Sequence, residues 1–141
     1  MNLLINSENN KILFFITGTV VSGNQIGRTI GIPTANLDTS DDITYITPGV
    51  YAVTAEVQGE LHKGISHIGS RPTVEKDINL MVETHIFDFD CDLYGKALLL
   101  YGHRFLRPTK DFNSLTDLKS QIEIDIANAK AFFSDSKSTC T

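Results

Sequence analysis

Helical periodicity is confined to one end of this chain. Apolar residues recur at Leu115, Leu118, Ile122, Ile126, Ala129 and Phe133, one stripe at helical spacing, and no stretch before residue 112 carries that period. Ser114-Leu115-Thr116-Asp117 heads the stripe like a capping box, with the serine placed to accept from first-turn amides and Asp117 at the positive end of the dipole. Such a helix must lie on something, and everything before it reads as strands. Tyr51-Ala52-Val53-Thr54-Ala55-Glu56-Val57 alternates in character between Pro48-Gly49 and Gln58-Gly59, a strand entering a hairpin whose return runs from Leu61 to Ile68. Ile12 to Val21 forms an earlier strand, and Leu80 to Phe89 and Lys96 to Leu106 form a later pair. The expectation is a mostly β fold in which five or six antiparallel strands close on themselves to remove their edges, with one long C-terminal α-helix packed outside.

The 141 residues suit one domain. Residues 1–10 read as a disordered leader, 11–133 as the barrel domain and 134–141 as a flexible tail. Lys and Arg total 12 against 17 Asp and Glu, a net charge of −5, and the cations form no stripe, which argues against a nucleic-acid partner. No run is long enough to span a bilayer, and the Lys11-Ile12-Leu13-Phe14-Phe15-Ile16 stretch is too short for a signal peptide, so no membrane partner and a cytoplasmic location are expected. Cys91 and Cys140 lack metal-ligand spacing and read as free thiols.

An acidic protein that handles phosphate must neutralise it locally. Four glycines at Gly18, Gly23, Gly27 and Gly31 lead directly into Pro33-Thr34-Ala35-Asn36. Glycines let backbone amides close around an anion, and Thr34 and Asn36 add neutral oxygens of the type Mg²⁺ accepts beside nucleotide phosphates. Neither a Rossmann nor a P-loop pattern is present. A glycine-rich barrel-corner loop fits the same glycines equally well, and a turn after Pro33 explains Thr34 and Asn36.

Gly27-Arg28-Thr29-Ile30-Gly31-Ile32-Pro33-Thr34-Ala35-Asn36 resembles the signature of the riboflavin kinases, ATP-dependent enzymes that make FMN. Four further blocks agree in order: Pro48-Gly49-Val50-Tyr51-Ala52-Val53, Ile68-Gly69-Ser70-Arg71-Pro72-Thr73, Val82-Glu83-Thr84-His85-Ile86-Phe87-Asp88-Phe89 with Asp92-Leu93-Tyr94-Gly95-Lys96, and Phe105-Leu106-Arg107-Pro108. The resemblance implies a six-stranded Greek-key barrel, riboflavin and ATP as substrates, FMN and ADP as products, and Mg²⁺ or another divalent ion held with ATP by Thr34 and Asn36. It makes Glu83 the catalytic base, and the glycine segment itself nominates Gly23, Gly27, Arg28, Gly31 and Thr34 as the phosphate-binding set.

On a strand Glu83 shares a face with His85, Phe87 and Phe89, and aromatic neighbours make a carboxylate a better proton acceptor. From the residues alone, a solvent-facing glutamate without a role is the plainer reading. His85 is assigned no catalytic role. The resemblance places the flavin near Arg107, Phe112 and Leu115, although Phe112 and Leu115 also suit helix docking and Arg107 could hold helix to barrel. Bacterial members usually form half of a bifunctional protein that also adenylylates FMN, so the chain is either a stand-alone kinase or part of a longer bifunctional one. The segment 22–27 is less glycine-rich and basic than is typical, and Val74 stands where an aromatic residue often follows Arg-Pro-Thr. The alternative to a kinase is a flavin- or nucleotide-binding regulatory domain with weak or no activity.

Overall fold

Alternating burial builds six strands, and the sheet they form has no open edge. The computed structural model describes residues 11–23, 25–71, 79–89 and 91–138; the expected leader, Val74 and Cys140 lie outside the described residues. The elements are β1 (Phe14–Gly23), α1 (Gln25–Thr29), β2 (Ala35–Asp38), β3 (Gly49–Val57), β4 (Glu60–Arg71), β5 (Asn79–Ile86), β6 (Ala97–Arg107) and α2 (Leu115–Ser138). All pairings are antiparallel and the closed order is β1-β2-β5-β4-β3-β6. Because β6 returns to lie beside β3, the last four strands form a Greek key.

The hairpin between β3 and β4 turns on Gln58 and Gly59, both at positive φ (51° and 85°), the backbone of the tight turn that matches strand twist. Two short elements were not expected. The helix α1 is five residues long with Gly27 inside it, too short to show a period, and β2 has four residues and begins two positions after Pro33. The strand expected over 12–21 is Phe14–Gly23, and α2 continues to Ser138, into the stretch expected as tail.

Two cores share the barrel wall. Inside it pack Phe14, Ile16, Val53, Ile68, Val82 and Leu100, and between wall and helix pack Val50, Ala52, Ile65, Ala129, Phe132 and Phe133. Strand β3 therefore departs from simple alternation, its first five residues all buried because α2 covers the outer face there, and alternation resumes where the helix has passed. Within the wall, Ser66 and Thr84 satisfy each other at 2.6 Å. Ser114 Oγ accepts from the Asp117 N–H at 3.1 Å, capping α2 as its sequence implies. No helix among the described residues is long and apolar enough to cross a membrane.

His103 ties the chain entry to this frame. Its Nδ1 donates to the Lys11 carbonyl (3.1 Å), its Nε2 meets Thr54 Oγ1 (2.8 Å), and its ring edge packs on Phe133. Burial holds the imidazoles of His67, His85 and His103 below their ordinary value of 6.5, and desolvation is the largest cause for each. The unfolded chain therefore takes up protons that the fold refuses. Stability is full above pH 6.5 and is lost as pH falls toward the folded values. The thermal midpoint should drop between pH 7.5 and pH 5.5, and His103→Gln, which cannot take the proton, should make that drop shallower. A profile equally steep in the variant would show that His103 does not contribute.

Candidate active site

Register decides what meets on the outer wall. In the β2–β5 ladder Asn36 stands opposite Glu83 and Ala35 opposite Thr84; on the other side of β5, His67 of β4 stands opposite Glu83. Directly opposed residues share a face. Val82, Thr84 and Ile86 are buried on the inner side of the wall, so Asn36, Glu83, His67 and His85 belong to the outer side. Thr34, two residues before Asn36, adds its hydroxyl, which donates to Glu83 Oε2 at 2.9 Å. Strand β5 ends at Ile86, and Asp88 has a left-handed backbone (φ 52°). That turn sends Phe89 against the inner core, away from the Glu83 face on which sequence alternation put it, whereas Phe87 packs outside with the helix core.

Glu83 lines a pocket of about 190 Å³ between the barrel wall and α2, with Ile32, Phe112, Leu118 and Ile122 as apolar walls and His67 and Arg107 among the polar ones. A larger cavity of about 510 Å³ opens at the barrel mouth, lined inside by Val20, Ala35, Thr84 and Leu93 and at its rim by Arg28, Asp92 and Tyr94. Thr34 lines both cavities. The wall between them thus carries a hydroxyl and, on one side, a carboxylate. Desolvation lowers the His67 and His85 imidazoles, so both rings beside Glu83 are biased toward the neutral form, which neither adds a cation nor repels one.

The residues singled out from sequence divide. Phe112 and Arg107 line the pocket with Glu83, but Leu115 is 48% exposed and is not among its lining residues; Leu118 and Ile122, further along α2, are. Arg107 is committed to Asp125: its Nε donates to both carboxylate oxygens (2.8 and 3.0 Å) and its Nη2 to Oδ2 (2.8 Å), with Gln121 Nε2 completing the set at 3.1 Å. Asp125 is 1% exposed and escaped the sequence reading. It falls between Ile122 and Ala129 on the apolar stripe, and an acid there calls for a buried cation.

Gly23 ends β1 opposite Ala35. Gly27 and Gly31 have conformational work in the return from α1 to β2: the Gly27 carbonyl accepts from Ile32 N–H (2.7 Å) where a Cβ would run into the Ile32 carbonyl oxygen, and Gly31 has φ 80°. Arg28, between them, is exposed on the mouth cavity. Asn36 lies on strand β2 and not in a turn after Pro33, with its side-chain oxygen shielded from solvent.

Thr34 and Asn36 carry neutral oxygens of the type a hard cation accepts. The Thr34 proton is engaged by Glu83, which leaves the hydroxyl lone pairs for a ligand; Asn36 stands opposite Glu83 with its amide oxygen shielded from solvent and is not among the residues lining either cavity.

The site is thus a closed barrel wall with a shared hydroxyl, Thr34, between two cavities and a carboxylate, Glu83, on the smaller one. A model of the riboflavin kinase family matches residues 11–133, and the chain belongs to that family. The Bacillus subtilis bifunctional riboflavin kinase/FMN adenylyltransferase is 40% identical over 126 residues, 86% of this chain and 39% of that protein. A solved riboflavin kinase from Trypanosoma brucei superposes with TM-score 0.60 at 25% identity, covering 85% of this chain and 79% of its own. A solved Streptococcus pneumoniae protein named for macrolide efflux gives TM-score 0.72 at 35% identity, covering 79% of this chain and 36% of its own. The chain spans 39% or less of the length of the first curated relatives it matches.

Proposed function

We propose that this chain transfers the γ-phosphoryl group of ATP to the ribityl 5′-hydroxyl of riboflavin, giving FMN and ADP in the cytoplasm. The observation that supports this reading most is Thr34, which lines both cavities and hydrogen-bonds Glu83 at 2.9 Å. Nucleotide phosphates on the mouth side, near Arg28, and an acceptor alcohol on the Glu83 side would meet there. The acceptor hydroxyl gives its proton to Glu83, its oxygen bonds to the γ-phosphorus, and the bond from that phosphorus to the bridging oxygen of ADP breaks. Glu83 Oε2 already accepts from Thr34, and the second carboxylate oxygen can accept from the alcohol.

Thr34 and Asn36 would hold Mg²⁺ with the phosphates. When bound, the ion offsets the charge of the phosphate oxygens, and two neutral protein ligands imply that it arrives with ATP. The 190 Å³ pocket adjoins a groove of about 420 Å³, and Ile30, Ile32 and His85 line both, so together they can take a flat tricyclic ring against apolar walls.

Incubation with riboflavin and Mg-ATP followed by chromatography should yield FMN. No FMN under varied metal and nucleotide would leave a flavin- or nucleotide-binding regulatory domain instead. Thr34→Ala and Asn36→Ala should weaken productive use of Mg-ATP, with partial recovery at raised magnesium. Full activity at low magnesium in either variant would reduce that residue to a structural one.

A further inference from the structure

The ladder between β2 and β5 pairs Leu37 with Val82, Asn36 with Glu83 and Ala35 with Thr84, and there it stops. Pro33 has no N–H, so the backbone cannot extend the ladder in that direction. The chain nonetheless stays beside β5 for another turn of the pleat, close enough for Thr34 to reach Glu83 at 2.9 Å. What holds it is a side chain: His85 Nδ1 lies 2.7 Å from the Pro33 carbonyl oxygen. A carbonyl can only accept, so Nδ1 carries the hydrogen and the neutral ring is the Nδ1–H tautomer. On the upstream side the backbone is fixed by the bond from Ile32 N–H to the Gly27 carbonyl (2.7 Å). The ring itself packs at a tilt against Phe87, with centroids 6.0 Å apart.

We infer that His85 is a positioning residue, an imidazole clasp on the Pro33 carbonyl that sets the spacing between the Thr34 and Asn36 oxygens and the Glu83 carboxylate. The identity of the ligands on the two sides rests on the kinase reading, but the clasp rests on geometry alone. Two bonds span the gap, Thr34 to Glu83 and His85 to Pro33, and both join the segment 33–34 to alternate residues of β5. Removing the second leaves Thr34 following a proline with no ladder bond to hold it. A charged imidazole keeps its Nδ1–H, so the clasp survives titration of the ring.

Three measurements test this. Imidazole nitrogen shifts in the wild-type protein at neutral pH should report the Nδ1–H tautomer at His85, and an Nε2–H tautomer would overturn the clasp. His85→Ala should weaken binding of a non-hydrolysable Mg-ATP analogue by about tenfold, the reach of one neutral hydrogen bond, with KM for Mg-ATP rising in step and kcat changing less. His85→Asn, whose amide N–H can take the place of Nδ1–H, should recover most of the loss. Wild-type affinity in the alanine variant, or an asparagine variant as weak as alanine, would overturn the proposal. If wild-type protein makes no FMN, the kinase reading fails, while analogue binding and the tautomer still decide the clasp.

Discussion

Glu83→Gln lowers turnover by about 10²- to 10⁴-fold, the usual contribution of a positioned general base, with little change in ligand affinity. The amide keeps the size of the carboxylate and an oxygen able to accept from Thr34, so the wall between the two cavities stays as it is. What is lost is the ability to hold the proton of the acceptor alcohol. Flavin fluorescence follows binding and a discontinuous FMN assay follows chemistry, so the two effects separate. A variant that binds both ligands normally and turns over within a few-fold of wild type would remove Glu83 as the base, leaving positioning and phosphate electrostatics to account for the rate.

Arg107→Ala destabilises the fold by about 3 kcal/mol or more, because it strands a buried carboxylate whose one open side is the narrow Glu83 pocket. Asp125 is 1% exposed, and its charge is met by three bonds from Arg107 and one from Gln121. The thermal midpoint should fall by on the order of 10 °C. The double variant Arg107→Met with Asp125→Leu should regain much of that loss, since well-packed apolar residues can replace a buried ion pair at little net cost. A single variant that melts with the wild type would mean that water reaches Asp125. Because Arg107 and Asp125 also line the Glu83 pocket, the single variant should weaken flavin binding as well.

The sequence showed what is local and periodic. The β3–β4 hairpin is legible because alternation stops at Gln58-Gly59, and the capped helix is legible because Ser114 precedes a long apolar stripe. The short elements were not legible: α1 has a glycine at its centre and five residues in all, and β2 follows a proline. Alternation also misplaced Phe89, since nothing in its neighbours announces the positive φ of Asp88 that turns the chain. Thr34 and Glu83 were nominated by resemblance, but their contact is a matter of register between strands far apart in sequence. Asp125 could have been found as the one acidic interruption of the buried stripe. Leu115 shows the converse, a residue on the stripe by count that lies before the helix reaches the barrel and is exposed.

The closing strand has a consequence for how the chain reaches its native state. Strand β6 pairs with β1 and with β3, joining Phe14 to Gly102, 88 residues further along the chain. Until β6 has been synthesised, β1 and β3 each lack a neighbour, and a nascent chain must carry strand edges and inner-core side chains open to its surroundings. Such distant pairing pays its loop entropy before it is rewarded, which puts folding on the slower, millisecond-to-second scale of non-local β topologies. Chains arrested on the ribosome before Arg107 emerges should remain protease-sensitive, and protection should arrive abruptly once the last strand is free to insert.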